Sequence, residues 1–158
     1  MHAEPQKEHQ WLQQLVGEWT YEVDANMGPD KPPEKCTGTE SVRSISGLWV
    51  VCEGHGEMPG GGSATTMMTL GYDPARKRYV GTFIGSMMTN MWVYDGALDG
   101  QVLTLDTEGP DFGSEGKTTK YKDAIELKSD DHRVLTSHML GQDGKFHQFM
   151  TANYRRKK

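Results

Sequence analysis

Short turn signals divide the chain from Glu18 onward into about ten segments, each long enough for one β-strand. The first segment is the clearest, because Trp19, Tyr21 and Val23 alternate with polar residues, as in a strand with one dry face and one wet face. The connections between segments are short and carry no helical pattern, which excludes a parallel sheet with its long crossovers. The sequence therefore predicts an antiparallel meander.

A meander of this many strands is expected to close on itself. An open sheet would leave unprotected edges and an uncovered apolar face, and closure removes both problems. Glycines inside the predicted strands, such as Gly81 and Gly85, favour closure because they permit tight curvature. The predicted strands lie near 18–24, 35–45, 48–58, 64–72, 78–88, 91–97, 101–108, 117–128, 133–140 and 145–155. We predict an all-β fold, a single closed antiparallel up-and-down barrel over residues 18–156.

A short N-terminal helix is predicted over residues 5–16. Pro5 suits the first turn of a helix, and Gly17 follows the last periodic residue as a C-cap does. The helix has one narrow apolar stripe, formed by Trp11, Leu12, Leu15 and Val16. Such a stripe fits a helix that lies across a larger apolar surface, so we expect it to cap one end of the barrel.

Length and charge limit the possible functions. The 158 residues match a single domain, residues 1–158, with one core. A formal net charge of -5 argues against nucleic acid as a partner, because phosphate binding needs a concentrated basic face. The amino-terminal residues contain no apolar run that would act as a signal peptide or cross a membrane. We therefore expect a cytoplasmic protein with no membrane partner.

The two cysteines fit a reducing compartment. If Ser46 and Gly47 form a two-residue hairpin loop, Cys52 faces Ser41, and Cys36 lies about five residues, or ~16 Å, further along the strand. A disulfide between the two cysteines is therefore not expected.

The segment Gly17-Glu18-Trp19, placed after a capping helix, resembles the Gly-x-Trp opening of the calycin superfamily of lipocalins, fatty-acid-binding proteins and nitrobindins. In calycins a late arginine commonly packs over that tryptophan through a cation–π contact. The resemblance implies this role for Arg156 and makes Gly17, Trp19 and Arg156 the expected structural signature. By strand phase, the face that carries Arg156 also carries Tyr154, Met150 and Gln148.

A closer resemblance, to the bacterial domain-of-unknown-function family numbered 1579, covers nearly the whole chain. The matching stretches are Leu15-Val16-Gly17-Glu18-Trp19, Leu70-Gly71-Tyr72-Asp73, Lys77-Arg78-Tyr79-Val80-Gly81-Thr82-Phe83 and the ending Met150 … Tyr154-Arg155-Arg156. The resemblance implies a lipocalin-like barrel and supplies no function. An aromatic-x-acidic pattern of the family is replaced here by Phe83-Ile84-Gly85, so no role of that acid carries over.

The methionines favour a ligand-binding interior. Ten are present, and five of them cluster as Met67-Met68, Met87-Met88 and Met91 on strands expected to be neighbours. Flexible, polarizable thioethers suit a pocket that adapts to an apolar or aromatic guest, although they can also simply fill a core. We predict a non-catalytic binder of a small apolar or amphipathic molecule. Its candidate ligand-binding residues are Met68, Phe83, Met87, Trp92, His138, Gln148 and Met150.

Polar side chains keep an enzyme or a haem protein open as an alternative. Glu53, His55 and Glu57 share one strand face and point inward if Trp49 does, close enough together to share a proton or a metal. The other interpretation of these three is a solvated strand end. His138 is predicted to point inward, and the resemblance to nitrobindins implies that such a histidine could ligate haem. A hydrogen-bonded core histidine is the other interpretation of His138.

No catalytic residue, metal site or obligatory cofactor is predicted. Nucleophile, phosphate-loop and dinucleotide motifs are absent from the sequence, as is zinc-type Cys/His spacing. A further alternative is a homodimeric interaction module that uses exposed methionines, Trp49 and Trp92 on an outer barrel face.

Overall fold

The computed structural model describes residues 3–26, 32–58 and 61–157. Over these ranges one helix, α1 (Lys7–Gln13), precedes ten strands. The strands are β1 (Gly17–Ala25), β2 (Glu34–Ile45), β3 (Trp49–Glu57), β4 (Ser63–Asp73), β5 (Arg78–Gly85), β6 (Trp92–Asp99), β7 (Val102–Pro110), β8 (Thr118–Ser129), β9 (His132–Leu140) and β10 (Phe146–Arg156). Each strand lies close to one predicted from the sequence.

The sheet closes into a barrel. Each strand pairs antiparallel with its neighbours in sequence, and β10 pairs with β1. Trp19 lies opposite Arg156 on β10 and opposite Glu40 on β2. Gly81 lies so close to Thr69 of β4 that a Cβ atom there would collide with the Thr69 carbonyl oxygen. The predicted all-β, closed up-and-down barrel is therefore confirmed.

The N-terminal helix is shorter than predicted. It begins at Lys7 because Gln6 is extended and forms a capping box with His9, and its C-cap is Gln14, well before Gly17. Gly17 instead opens β1 with a φ of 140°, a value that favours glycine, and a Cβ there would collide with Arg156. The predicted helix, 5–16, is therefore too long at both ends, and the predicted C-cap role of Gly17 is wrong.

Helix α1 closes one end of the barrel, as expected. The Trp11 indole donates a hydrogen bond to Gln101 Oε1 at 3.0 Å, beside the β6–β7 turn. The Tyr79 hydroxyl donates to the carbonyl oxygen of Glu8 at 3.2 Å. The opposite end is framed by the connections at 86–91, 111–117 and 141–145, and no helix covers it within the described residues. We call this the open end.

The hairpin between β2 and β3 has three loop residues, one more than predicted. Ile45 pairs with Trp49, so the loop spans 46–48, with Ser46 and Gly47 both at positive φ. The extra residue places Cys52 opposite Val42, where Ser41 was predicted. The thiols of Cys36 and Cys52 are both free.

Candidate functional site

The open end of the barrel contains a cavity of about 190 Å³, which we call the open-end cavity. Its apolar lining consists of Phe83, Met88, Trp92, Phe112, Tyr121, Phe149 and Met150. Its polar lining consists of Tyr94, Thr107, Asp123 and Ser137. The cavity is therefore an aromatic chamber with a small polar area, the usual composition of a small-molecule site.

Aromatic rings form one continuous wall of the open-end cavity. The ring centroid of Tyr121 lies 4.9 Å from that of Trp92, 5.6 Å from that of Phe112 and 6.2 Å from that of Phe149. The three pairs meet edge to face, with interplanar angles of 85°, 63° and 77°, the geometry that ring quadrupoles favour. The Tyr121 hydroxyl also donates to the carbonyl oxygen of Pro110, which fixes the central ring.

The polar area is centred on Asp123, which points inward from β8. The Tyr94 hydroxyl donates to Asp123 Oδ2 at 2.6 Å, and the Ser137 hydroxyl also hydrogen-bonds the carboxyl. Thr107 Oγ1 is buried and has no hydrogen-bond partner among the described residues. The polar area therefore combines one carboxyl with hydroxyl groups, and one buried hydroxyl beside it is unpartnered.

Burial raises the pKa of Asp123, and this effect outweighs the lowering by the hydrogen bonds from Tyr94 and Ser137 and by the nearby His138. The folded state therefore holds the Asp123 proton to higher pH than the unfolded chain does. Stability from this group is present at low pH and is lost as pH rises from about 4, the unfolded value, through the raised folded pKa.

We expect Asp123→Asn to remove this pH-dependent loss. In urea denaturation the variant should gain stability relative to the native protein between pH 4 and pH 8, so the difference in unfolding free energy, variant minus native, becomes more positive. Asp106→Asn, on the outer face of β7 beside Lys122, is the matched control, because its carboxylate is exposed and paired. A difference between Asp123→Asn and the native protein that does not change with pH contradicts this prediction.

Met88, and not Met87, stands beside the aromatic wall. The predicted strand 78–88 runs too far: β5 ends at Gly85 and the chain turns, so the strand phase no longer applies to Met87. Met87 is 43% exposed and does not line the open-end cavity. The sulfur of Met88 accepts a hydrogen bond from the Trp92 indole at 3.2 Å, which holds Met88 against the cavity.

Met68 lies deeper, in the closed half of the barrel. It lines a void of only about 20 Å³, together with Glu40, Cys52, Leu70, Ile125, Arg133, Leu135 and Tyr154. Such a volume holds about one water molecule, so this void is too small for an organic guest. Among the predicted ligand-binding residues, Phe83, Trp92 and Met150 line the open-end cavity, and Met68 does not.

The sequence did not indicate the charged pair beside this void. Arg133 is 4% exposed and donates a hydrogen bond to the Glu40 carboxylate. Its guanidinium carbon also lies 4.0 Å from the ring centroid of Tyr154 and 4.7 Å from that of Trp19. The pair is buried beside Trp19 of β1, so it belongs to the core.

Arg156 lies over the same tryptophan, in the position that the calycin resemblance implies. Its guanidinium carbon is 4.2 Å from the Trp19 ring centroid. It also donates hydrogen bonds to the carbonyl oxygens of Val16 at 2.7 Å and Gln14 at 3.0 Å. Arg156 therefore ties the end of β10 to the segment that follows α1.

His138 points out of the barrel, so the predicted inward orientation of its side chain is wrong. It pairs with Lys122 on β8, whereas the adjacent pair, Asp123 and Ser137, points into the open-end cavity. Its ring contacts Thr136 Oγ1 at 3.1 Å on the outer face. The interpretation of His138 as a core histidine is wrong for the same reason.

Gln148 also lies outside the open-end cavity, because a β-bulge interrupts β10. The register with β9 shifts between Gln148 and Met150, so the predicted common face of these two residues is lost. Gln148 is exposed and donates to Thr151 Oγ1 at 2.6 Å, while the bulged residue Phe149 lines the cavity. Because of the bulge, the Phe149 ring lines the cavity, where the sequence predicted the Gln148 amide.

The face carrying Glu53, His55 and Glu57 is solvated, and the inward alternative is wrong. Cys52 and Met68, which pair across β3 and β4, occupy the inner face, so these three side chains point outward with Trp49, which is 41% exposed. His55 Nε2 lies 2.9 Å from Glu53 Oε2. No group of His, Cys, Asp and Glu in the described part of the chain could hold a metal ion.

Trp92, proposed for an outer dimer face, lines the open-end cavity instead.

Within the described residues, no helix has the length and apolar composition needed to span a membrane. A search of curated proteins found no sequence that matches the chain.

Solved structures with the same architecture include natural and designed barrels. The crystal structure of Rv2717c from M. tuberculosis superposes with a TM-score of 0.64 at 12% identity, covering 98% of this chain and 100% of that one. The redesigned β-barrel mFAP0, bound to DFHBI, gives 0.53 at 13% identity and 91% and 100% coverage. A fluorescence-activating β-barrel of de novo design gives 0.53 at 11% identity and 94% and 98% coverage. At these identities the likeness concerns the fold.

A family model described as a protein of unknown function, DUF1579, matches residues 4–156, which span nearly all of the barrel. The predicted family is thereby confirmed, and the chain belongs to the DUF1579 family.

Proposed function

We propose that this protein binds a small, largely apolar aromatic molecule in the open-end cavity without transforming it. The observation that carries the proposal is the cavity itself, about 190 Å³ in volume and walled by aromatic rings. A core that only stabilises the fold would be filled to native density, whereas this end of the barrel is hollow.

The volume indicates the size of the guest. An apolar cavity of about 150 Å³ accepts benzene, so a cavity of about 190 Å³ suits one substituted aromatic ring. A haem macrocycle is far larger, and no histidine lines the open-end cavity in the described part of the chain. The volume and lining therefore favour a single-ring guest over the haem alternative.

The architecture is compatible with such a role. Eight or more strands leave room in a small barrel for one ligand, and mFAP0 is a barrel bound to the small molecule DFHBI. For this chain the comparison supports only the principle that a barrel of this kind can hold a guest. The guest's size and chemistry come from the lining residues.

Filling the cavity tests the proposal. Thr107 lines the cavity from β7 and has an unpartnered hydroxyl, so Thr107→Phe adds a ring to the cavity without breaking a hydrogen bond. We expect ethylbenzene binding, measured by isothermal titration calorimetry, to weaken at least about tenfold.

Thr104→Phe is the matched control for this experiment. Thr104 lies on the outer face of the same strand, opposite Ala97 and Ala124, so a ring there leaves the cavity open. Equal weakening by both variants, or a native protein that binds neither ethylbenzene nor benzyl alcohol nor benzylammonium, would refute the proposal.

We also propose that the protein works in the cytoplasm. Cys36 and Cys52 are both free thiols, as is usual in a reducing compartment. Fractionation of cells that express the protein at natural levels tests this location.

A further inference from the structure

The open-end cavity combines several aromatic faces with one acid and no base. Asp123 is the charged residue of the lining, and no lysine, arginine or histidine from residues 3–26, 32–58 or 61–157 lines the cavity. No ion pair within those ranges includes Asp123. The partners of its carboxyl are the hydroxyls of Tyr94 and Ser137, which are neutral donors.

A buried carboxyl without a counterion is costly, and the protein retains it where an apolar residue would pack. The other acid on the inner face, Glu40, has a counterion within the chain, because it is paired with Arg133. The contrast between these two inner-face acids indicates that the countercharge for Asp123 comes from outside the chain. Burial raises the pKa of Asp123, as expected for a carboxyl that has no cation beside it to stabilise its charged form.

The remaining lining suits a positive guest. The rings of Trp92, Tyr121 and Phe149 line the cavity. The faces of aromatic rings carry negative quadrupole charge and attract cations, and aromatic cages bind ammonium groups in this way. Thr107 Oγ1, buried and without a hydrogen-bond partner among the described residues, is a further acceptor close to the cavity, on the strand next to Asp123. An anionic guest would meet the carboxyl and the ring faces, all of which repel it.

Building on the proposed function, we propose that the open-end cavity selects a small organic cation, a protonated amine carried on an aromatic ring, with Asp123 as its counterion. The ammonium group donates to Asp123 and Thr107, and the ring packs against the aromatic wall. One ring with a short aminoalkyl arm matches the volume of about 190 Å³.

The test uses probes that share a ring and differ in their polar group: benzylammonium, benzyl alcohol and ethylbenzene at pH 7, titrated by calorimetry. We expect benzylammonium to bind at least about tenfold more tightly than either neutral probe. Asp123→Asn should lower benzylammonium affinity by at least about tenfold and leave ethylbenzene affinity within about threefold. Asp106→Asn, which changes an exposed outer carboxylate, should alter neither.

The outcomes separate the two proposals. If ethylbenzene binds and benzylammonium binds no better, or if the preference survives Asp123→Asn, the cavity is a site for neutral guests and the inference about cations is wrong. If benzyl alcohol equals benzylammonium, the site recognises a hydrogen-bond donor and not a charge, which also overturns it. If none of the three binds, the proposed function fails as well. Unchanged ethylbenzene binding by Asp123→Asn shows that the variant is folded with its cavity intact.

Discussion

Arg133→Leu is expected to lower the free energy of unfolding by about 3–5 kcal/mol. The substitution leaves the Glu40 carboxylate in the closed half of the barrel with no cation beside it, because Arg133 is its ion-pair partner. It also removes the guanidinium from the rings of Trp19 and Tyr154. Urea denaturation monitored by circular dichroism measures the loss.

Two further variants identify the cause of this loss. The double variant Arg133→Leu with Glu40→Leu removes both charges, and we expect it to recover most of the lost stability, because well-packed apolar residues can replace a buried ion pair. Lys122→Met breaks the exposed pair of Lys122 with Asp106 and should cost about 1 kcal/mol or less. If the double variant is as unstable as the single one, packing and not the orphaned charge accounts for the effect.

The architecture was predictable from the sequence because it depends on features that are local. Turn residues and short connections determine how many strands there are and that neighbours pair antiparallel, and no long-range contact is needed to recognise them. In β1, where Trp19 and Tyr21 alternate with Glu18 and Thr20, the inner face was also predictable. Closure of the barrel was predictable because an open meander of this length would leave two edge strands with unpaired backbone groups.

The inner face of β9 was not predictable, because both faces of this strand are equally apolar. Leu135 and Met139 point inward while Val134 and Leu140 point outward, so hydrophobic phase does not separate them. The deciding inner residue, Arg133, is charged, and its burial becomes reasonable only when Glu40, from a strand distant in sequence, is placed beside it. The inward prediction for His138 failed for this reason.

Single-residue irregularities account for the remaining errors in strand pairing and in side-chain direction. The extra loop residue at 46–48 shifted the pairing of β2 with β3 by one position. The bulge in β10 turned Gln148 outward and brought Phe149 to the cavity. A shift of one residue reverses the face of every side chain beyond it, and bulges carry no strong sequence signal. Asp123 was missed because an isolated aspartate in a strand usually faces water.

The two ends of the barrel are built for different tasks. At the closed end, α1 and the paired charges of Arg133 and Glu40 surround Trp19, so this half is filled and internally neutral. At the open end, the acid Asp123 is left without a cation beside a hollow aromatic chamber. The filled half supplies the stability that lets the hollow half keep an unpaired acid and an empty volume. Stability and binding should therefore respond to different substitutions.

Trp19→Ala is the substitution expected to affect the closed end most, costing about 3–5 kcal/mol. Trp19 is fully buried, and its indole donates a hydrogen bond to the carbonyl oxygen of Leu15 at 2.9 Å. Its ring also lies under the guanidinium groups of Arg133 and Arg156. Loss of the ring therefore leaves a core cavity and also frees the segment that joins α1 to β1.

The loss of the α1 attachment is separable from the loss of core volume. Trp19→Phe keeps most of the ring but removes the indole N–H, so it should cost less than Trp19→Ala while still increasing hydrogen exchange of the amides in α1. Trp49→Ala, which removes an exposed tryptophan from the outer face of β3, should leave that exchange unchanged. If Trp19→Phe protects the helix amides as fully as the native protein does, the indole hydrogen bond does not hold the cap, and packing of Leu12 and Leu15 on the barrel does so alone.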